Sequence, residues 1–197
     1  MPRLLEHDYL ALLSQHGIPV MPYRVAATAA EARQAAEALG GRVVVKALVP
    51  VGGRGKAGAV RRCASAAEAE KVARTLLGSV VRRFPVERVL VCEALEIARE
   101  FLVSVTFDSM TRGPLLLVTA EGGVDVETLL AEAPDKLHQR PVDILEGFPP
   151  YAAREVCRAA GVTGRLLLEM GDTLAALYRL FRATDAVALS IRAYPPR

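Results

Sequence analysis

Apolar positions at Leu4, Leu5, Tyr9, Leu12 and Leu13 recur along one helical face. They predict a helix over 4–13, stopped by Gly17 and Pro19. Residues 22–26 read as a short strand. Thr28-Ala-Ala-Glu31 has the form of a capping box, with a hydroxyl for a free backbone N–H and a carboxylate to reach back to the cap. It predicts an alanine-rich helix to about Leu39, ended by Gly40-Gly41. Arg42–Leu48 carries Val43-Val44-Val45, the mark of a buried strand. After a glycine-rich stretch, Ala59–Cys63 reads as a strand, and Ser65-Ala-Ala-Glu68 repeats the capping box ahead of a helix to about Leu77. Strands are predicted at Val86–Cys92, Phe101–Phe107 and Pro114–Thr119, the last two joined by a turn at Asp108–Gly113. Helices are expected over 125–132, 151–160 and 166–181, and a final strand over Ala186–Ile191.

The pattern is a mixed α/β (α+β) one. It predicts two lobes around a cleft: residues 20–95, and residues 1–19 with 96–197. No long repeat or low-complexity segment interrupts it.

Composition narrows the class. Of 197 residues, 52% are apolar and 24% charged, which fits a globular chain and not a disordered one. A formal net charge of +3 is too small to argue for nucleic acid, and no nucleic-acid partner is expected. The pairs Arg61-Arg62 and Arg82-Arg83 read as solvated surface. Three widely spaced cysteines, Cys63, Cys92 and Cys157, fit buried thiols better than disulfides or a zinc knuckle. The charged opening Met-Pro-Arg-Leu-Leu-Glu-His-Asp-Tyr has no signal-peptide core. No apolar run reaches the roughly 20 residues of a membrane helix. The expected setting is soluble and cytoplasmic, with no membrane partner.

The candidate chemistry sits at Gly52-Gly53-Arg54-Gly55-Lys56-Ala57-Gly58. Glycines let the backbone approach a ligand and present N–H groups to an anion, while Arg54 and Lys56 add charge. Gly53-x-Gly55-x-x-Gly58 formally matches the dinucleotide fingerprint, but a strand follows the loop where that fingerprint needs a helix. The P-loop also fails, because Gly55-Lys56 is followed by Ala57 rather than Ser or Thr. A loop between two strands, folded over phosphates, remains; the alternative is a surface hairpin with chance basic residues. Lys46 ends the valine run, and burying it is costly without an anionic partner. Nucleotide phosphates would supply one; a solvent-facing strand end is the other reading. Glu93 follows a strand where it could meet a ribose, Glu100 precedes another, and Glu121-Gly122-Gly123 suggests a close-packed turn near a ligand.

Together, Val44-Val45-Lys46, the 52–58 string, the Glu93–Glu100 segment and Ala-Glu-Gly-Gly-Val-Asp at 120–125 resemble the ATP-grasp nucleotide-binding domain of the succinyl-CoA synthetase β subunit and related ADP-forming acyl-CoA ligases. The likeness runs in order along nearly the whole chain. It implies an ATP-grasp fold that binds ATP or ADP, with Lys46 on the phosphates and Gly53, Arg54 and Gly55 over the triphosphate. Glu93 would meet the adenosine portion and Glu100 would line the cleft. It also implies a ligase component in which ATP phosphorylates a histidine of a CoA-binding α-type subunit or another completing chain. His7, His16 and His138 do not match that histidine. Two departures count against catalysis by this chain alone. Arg192 stands where the family has an Asn ligand for Mg2+, and a guanidinium cannot ligate a cation, so no metal ligand is assigned here. The family's C-terminal domain is also absent from the sequence. The alternative is a non-catalytic, degenerate ATP-grasp module that binds a nucleotide or a protein partner for regulation, with Arg192 neutralising a phosphate in place of the metal.

Overall fold

The valine run builds the interior of a sheet. In the computed structural model, which describes residues 3–96, 99–110, 112–121 and 126–192, it forms β2 (Val43–Ala47). This strand pairs antiparallel with β3 (Val60–Cys63) on one side and β6 (Val89–Glu93) on the other, and β1 (Tyr23–Ala26) closes the order β1-β6-β2-β3. Along β2 the pleat sends Val43, Val45 and Ala47 into the core. There they meet Val89 and Val91 and the small residues of α2 (Ala29–Ala38) and α3 (Ala66–Leu76), among them Ala32, Ala36, Ala69 and Ala73. Val44 and Lys46 point to the opposite face. α1 (Glu6–Gln15) makes its contacts with the sheet there, at Lys46 and through Tyr23, whose hydroxyl donates to the His7 carbonyl at 3.3 Å.

Both helix starts behave as the sequence suggests, with a shift of one residue. Thr28 Oγ1 accepts from the Glu31 N–H at 3.2 Å, while the Glu31 carboxylate accepts from Ala27, one position before the cap, at 2.8 Å. Ser65, Glu68 and Ala64 repeat the arrangement at the same distances. Between α3 and β6 the chain forms a small hairpin, β4 (Val80–Val81) and β5 (Phe84–Pro85), where no strands were expected.

A second antiparallel sheet follows the order β10-β7-β8-β9, built from β7 (Leu102–Asp108), β8 (Gly113–Thr119), β9 (His138–Pro141) and β10 (Ala188–Arg192). A short helix, α4 (Val126–Glu132), lies between β8 and β9 in the chain. α5 (Pro150–Ala159) packs on α6 (Gly164–Ala183), which buries Met170, Leu174, Leu177 and Leu180.

Contacts divide the chain into two compact units, residues 1–15 with 19–95, and residues 16–18 with 96–197. This division differs from the sequence-based one at the first helix. α1 was assigned to the second lobe, yet it joins the unit of the glycine loop, because Glu6 and His7 bond to that unit's sheet. Among the described residues, no helix is long and apolar enough to cross a membrane.

Candidate functional site

β2 and β3 hold the ends of the glycine loop. The Ala47 N–H donates to the Ala59 carbonyl at 2.9 Å, and Ala59 in turn donates to the Arg54 carbonyl at 2.9 Å. Inside the loop, Gly58 donates to the Gly55 carbonyl at 3.0 Å. Gly53 and Gly58 sit at φ of 67° and 70°, a region in which a side chain is strained. The segment is therefore a structured connection between two strands. The next helix begins only after the Ser65 cap, so no helix N-terminus opens at the loop.

Lys46 and Arg54 converge on one carboxylate that sequence reasoning missed. Lys46 Nζ bonds Glu6 Oε1 at 2.7 Å, and Arg54 Nη2 bonds Glu6 Oε2. Arg54 Nη1 also donates to the Ala47 carbonyl at 3.0 Å, tying the loop back to its own strand. The three side chains are only 16–20% exposed. Burial pushes the Glu6 pKa upward, but the charges of Lys46 and Arg54 and their hydrogen bonds outweigh it, leaving the carboxyl below its ordinary value of 4.5. The anionic partner that Lys46 demands is thus already present in the chain. The only sequence signal was that demand; nothing near Lys46 names a residue 40 positions earlier.

The arrangement fixes two cations on one side of a glycine loop with a single carboxylate between them. One ammonium and one guanidinium against one carboxylate leave a net positive charge. The remaining N–H donors of Lys46 and Arg54 are oriented by the bonds to Glu6, an arrangement suited to an anion with several acceptor oxygens.

The other predicted residues fall elsewhere. Glu93 ends β6 opposite Val43, so the pleat puts it on the face that carries α2 and α3, away from Lys46. Glu100 belongs to the second unit, just ahead of β7. Arg192 lies on the edge strand β10, paired with Leu102. Glu121 forms an ion pair with Lys136 at 3.0 Å and lines an open cavity of 290 Å³ with Asp135 and His138. Gly122-Gly123 lies outside the described residues. Among the described residues, no three His, Cys, Asp or Glu side chains converge as a metal site would require.

The cysteines are buried thiols. Burial pushes Cys157 up to about 12 and, with help from the Glu68 carboxylate, Cys63 up to about 11. Burial also raises Cys92, against the opposing charge of Lys46. Since the thiolate is the reactive form, the native protein is expected to give almost no reaction with a thiol-specific disulfide reagent at pH 8. Three equivalents should react after denaturation. Rapid labelling of the native chain would contradict the burial described here.

Comparison with known proteins identifies the family. The ATP-grasp domain model matches residues 3–193. The chain is 41% identical over 182 residues to the β subunit of GDP-forming succinate–CoA ligase from Thermus thermophilus, covering 91% of this chain and 48% of that one. It is 42% identical over 188 residues to the ADP-forming β subunit from Rubrobacter xylanophilus, covering 95% and 49%. The chain therefore spans about half the length of these curated relatives. Among solved structures, the dinucleotide-forming acetyl-coenzyme A synthetase 1 of Ca. Korarchaeum cryptofilum, in complex with coenzyme A and Ca-AMPCP, matches with a TM-score of 0.77 at 23% identity. That match covers 98% of this chain and 88% of the other. ATP citrate lyase from Methanothrix soehngenii matches with a TM-score of 0.75 at 18% identity, over 98% and 47%. At these identities the two structures speak for the fold alone.

Proposed function

We propose, on the premise that the chain belongs to the ATP-grasp domain family, that its first unit receives the phosphates of ATP or ADP on the 52–58 loop and serves as the nucleotide-binding component of an acid–CoA ligase. The observation that carries this reading is the Lys46–Glu6–Arg54 cluster, which fixes two cations beside a glycine-built loop. In this reading Lys46 and Arg54 bind phosphate oxygens, and Gly53 and Gly55 let the backbone approach them. Glu6 is a positioning residue that keeps both cations in place. Glu93 is proposed for the adenosine portion, and Glu100 remains a candidate of the second unit. The curated relatives are β subunits, so a second chain, CoA-binding and carrying the histidine to be phosphorylated, is the proposed partner. A cytoplasmic setting goes with it.

The donor set does not fit Mg2+. Arg192 holds the position where the resemblance expects an amide ligand, and a guanidinium cannot ligate a cation. That departure favours the second reading, a module that binds nucleotide without turning it over.

Calorimetric titration with ATP and with ADP, each with and without Mg2+, tests both. Binding is expected, weakened roughly tenfold in Lys46→Ala and in Arg54→Ala, as loss of a charge-assisted phosphate contact implies. A requirement for Mg2+ would favour the ligase component, and indifference to it the non-catalytic module. A wild-type chain that binds neither nucleotide would overturn the nucleotide reading.

A further inference from the structure

The hairpin β4–β5 carries an unusual turn. Val81 pairs with Phe84, which leaves only Arg82 and Arg83 to make the connection. Both have positive φ, 45° and 74°. A two-residue turn with positive φ at both positions is the type I′ geometry, which strongly favours Asn-Gly because other side chains are strained there. The hairpin itself is well anchored. Val81 is buried in the alanine–valine core, and Gly78 and Val86 extend the ladder through bonds of 2.9 Å to the Val86 and Ser79 carbonyls. So the position of the turn is fixed by the core, while its two residues are poor choices for its shape.

What the turn delivers is a guanidinium onto the glycine loop. A Cβ placed on Gly53 would lie 3.0 Å from Arg82 Nη2, so the Arg82 guanidinium rests close against the backbone of Gly53. At the other end of the loop, the same construction at Gly58 meets Arg61 Nη2 at 3.7 Å. Arg82 makes no ion pair with any described residue. It adds a further positive charge at Gly53, the residue before Arg54 in the same loop, while the Arg54 charge is shared with Lys46 on the one carboxylate of Glu6. Cations gathered this way repel one another until an anion joins them. A triphosphate carries more negative charge than the Lys46–Arg54–Glu6 cluster can neutralise.

We infer that Arg82, which the sequence pattern assigns to solvated surface, is a further phosphate-binding residue, set against Gly53 by a strained two-residue turn to take an oxygen of the nucleotide's polyphosphate. The inference rests on the nucleotide reading above and adds a binding residue to that site. Arg83 serves only to complete the turn.

The test separates turn shape from charge. The double variant Arg82→Asn/Arg83→Gly installs the residues that the turn prefers. It is expected to melt at the wild-type temperature or higher, yet to bind ATP and inorganic tripolyphosphate about tenfold more weakly, as loss of one charge-assisted contact implies. Arg83→Gly alone should leave affinity unchanged, and Arg82→Gln, which keeps Arg83, should reproduce the loss even if the double variant folds poorly. Wild-type affinity for both ligands in a folded Arg82→Gln protein would refute the assignment. Failure of wild type to bind either ligand would instead remove the nucleotide reading, and this inference with it.

Discussion

Glu6→Ala is expected to cost the first unit about 3 kcal/mol of stability, the lower end of the penalty for removing one partner of a buried ion pair, because the three side chains are part-buried. Lys46 and Arg54 would then face each other without a carboxylate while only about a fifth exposed, 19% and 20%. Denaturant unfolding of wild type and variant measures the difference. A loss under about 1 kcal/mol would mean that water already screens the cluster like a surface pair. The pH dependence has a definite sign. The native pKa of Glu6 lies below its ordinary value of 4.5, so its contribution is complete above that value. It is lost as pH falls through the lowered native value. Glu6→Ala should lack this acid-side loss, giving a flatter stability profile below pH 4.5.

This cluster shows what the sequence could and could not disclose. A lysine after three β-branched residues announces that an anion must be near. That inference holds, but the first anion to meet it is Glu6, brought across 40 positions by helix-on-sheet packing. Pairings of that span leave no local pattern. On the proposed reading, nucleotide phosphates would share Lys46 with Glu6, which turns the site from a bare cation into a positioned one.

Features with local causes were legible. The two cap sequences, the valine strand, and a glycine loop followed by a strand rather than a helix all follow from neighbouring residues. Features set by pairing were not. β9 is His-Gln-Arg-Pro, with no β-branched residue, and exists as a strand because β8 offers it an edge. β4 and β5 escaped notice because their turn lacks the Asn-Gly signal that announces such hairpins. Whether Glu93 and Lys46 share a face depends on register parity, which only the pairing of Val43 with Glu93 settles.

In the second unit the largest effect is expected at Gly171→Val, with a loss of about 2–3 kcal/mol from overpacking. Gly171 is buried on α6 where α5 crosses it. A Cβ there would fall 2.5 Å from Arg154 Cγ, and 3.4 and 3.5 Å from the Arg154 backbone N and Cα. Rotating the arginine side chain relieves the first contact at the cost of its 3.0 Å bond to Asp172; the backbone distances are ordinary van der Waals contacts for a Cβ and leave no space beyond it for larger groups. Alanine is the informative intermediate. It gains about 1 kcal/mol of helix propensity over glycine, which offsets part of the clash. Valine adds two methyl groups against α5, and these leave the backbone contact no room to relax. Removing the arginine side chain should therefore rescue Gly171→Ala in an Arg154→Ala background while leaving Gly171→Val destabilised. Denaturant unfolding of the four proteins in that cycle reads the coupling directly. If Gly171→Val unfolds at the wild-type denaturant concentration, the two helices do not cross as closely as described, and the glycine is there for another reason.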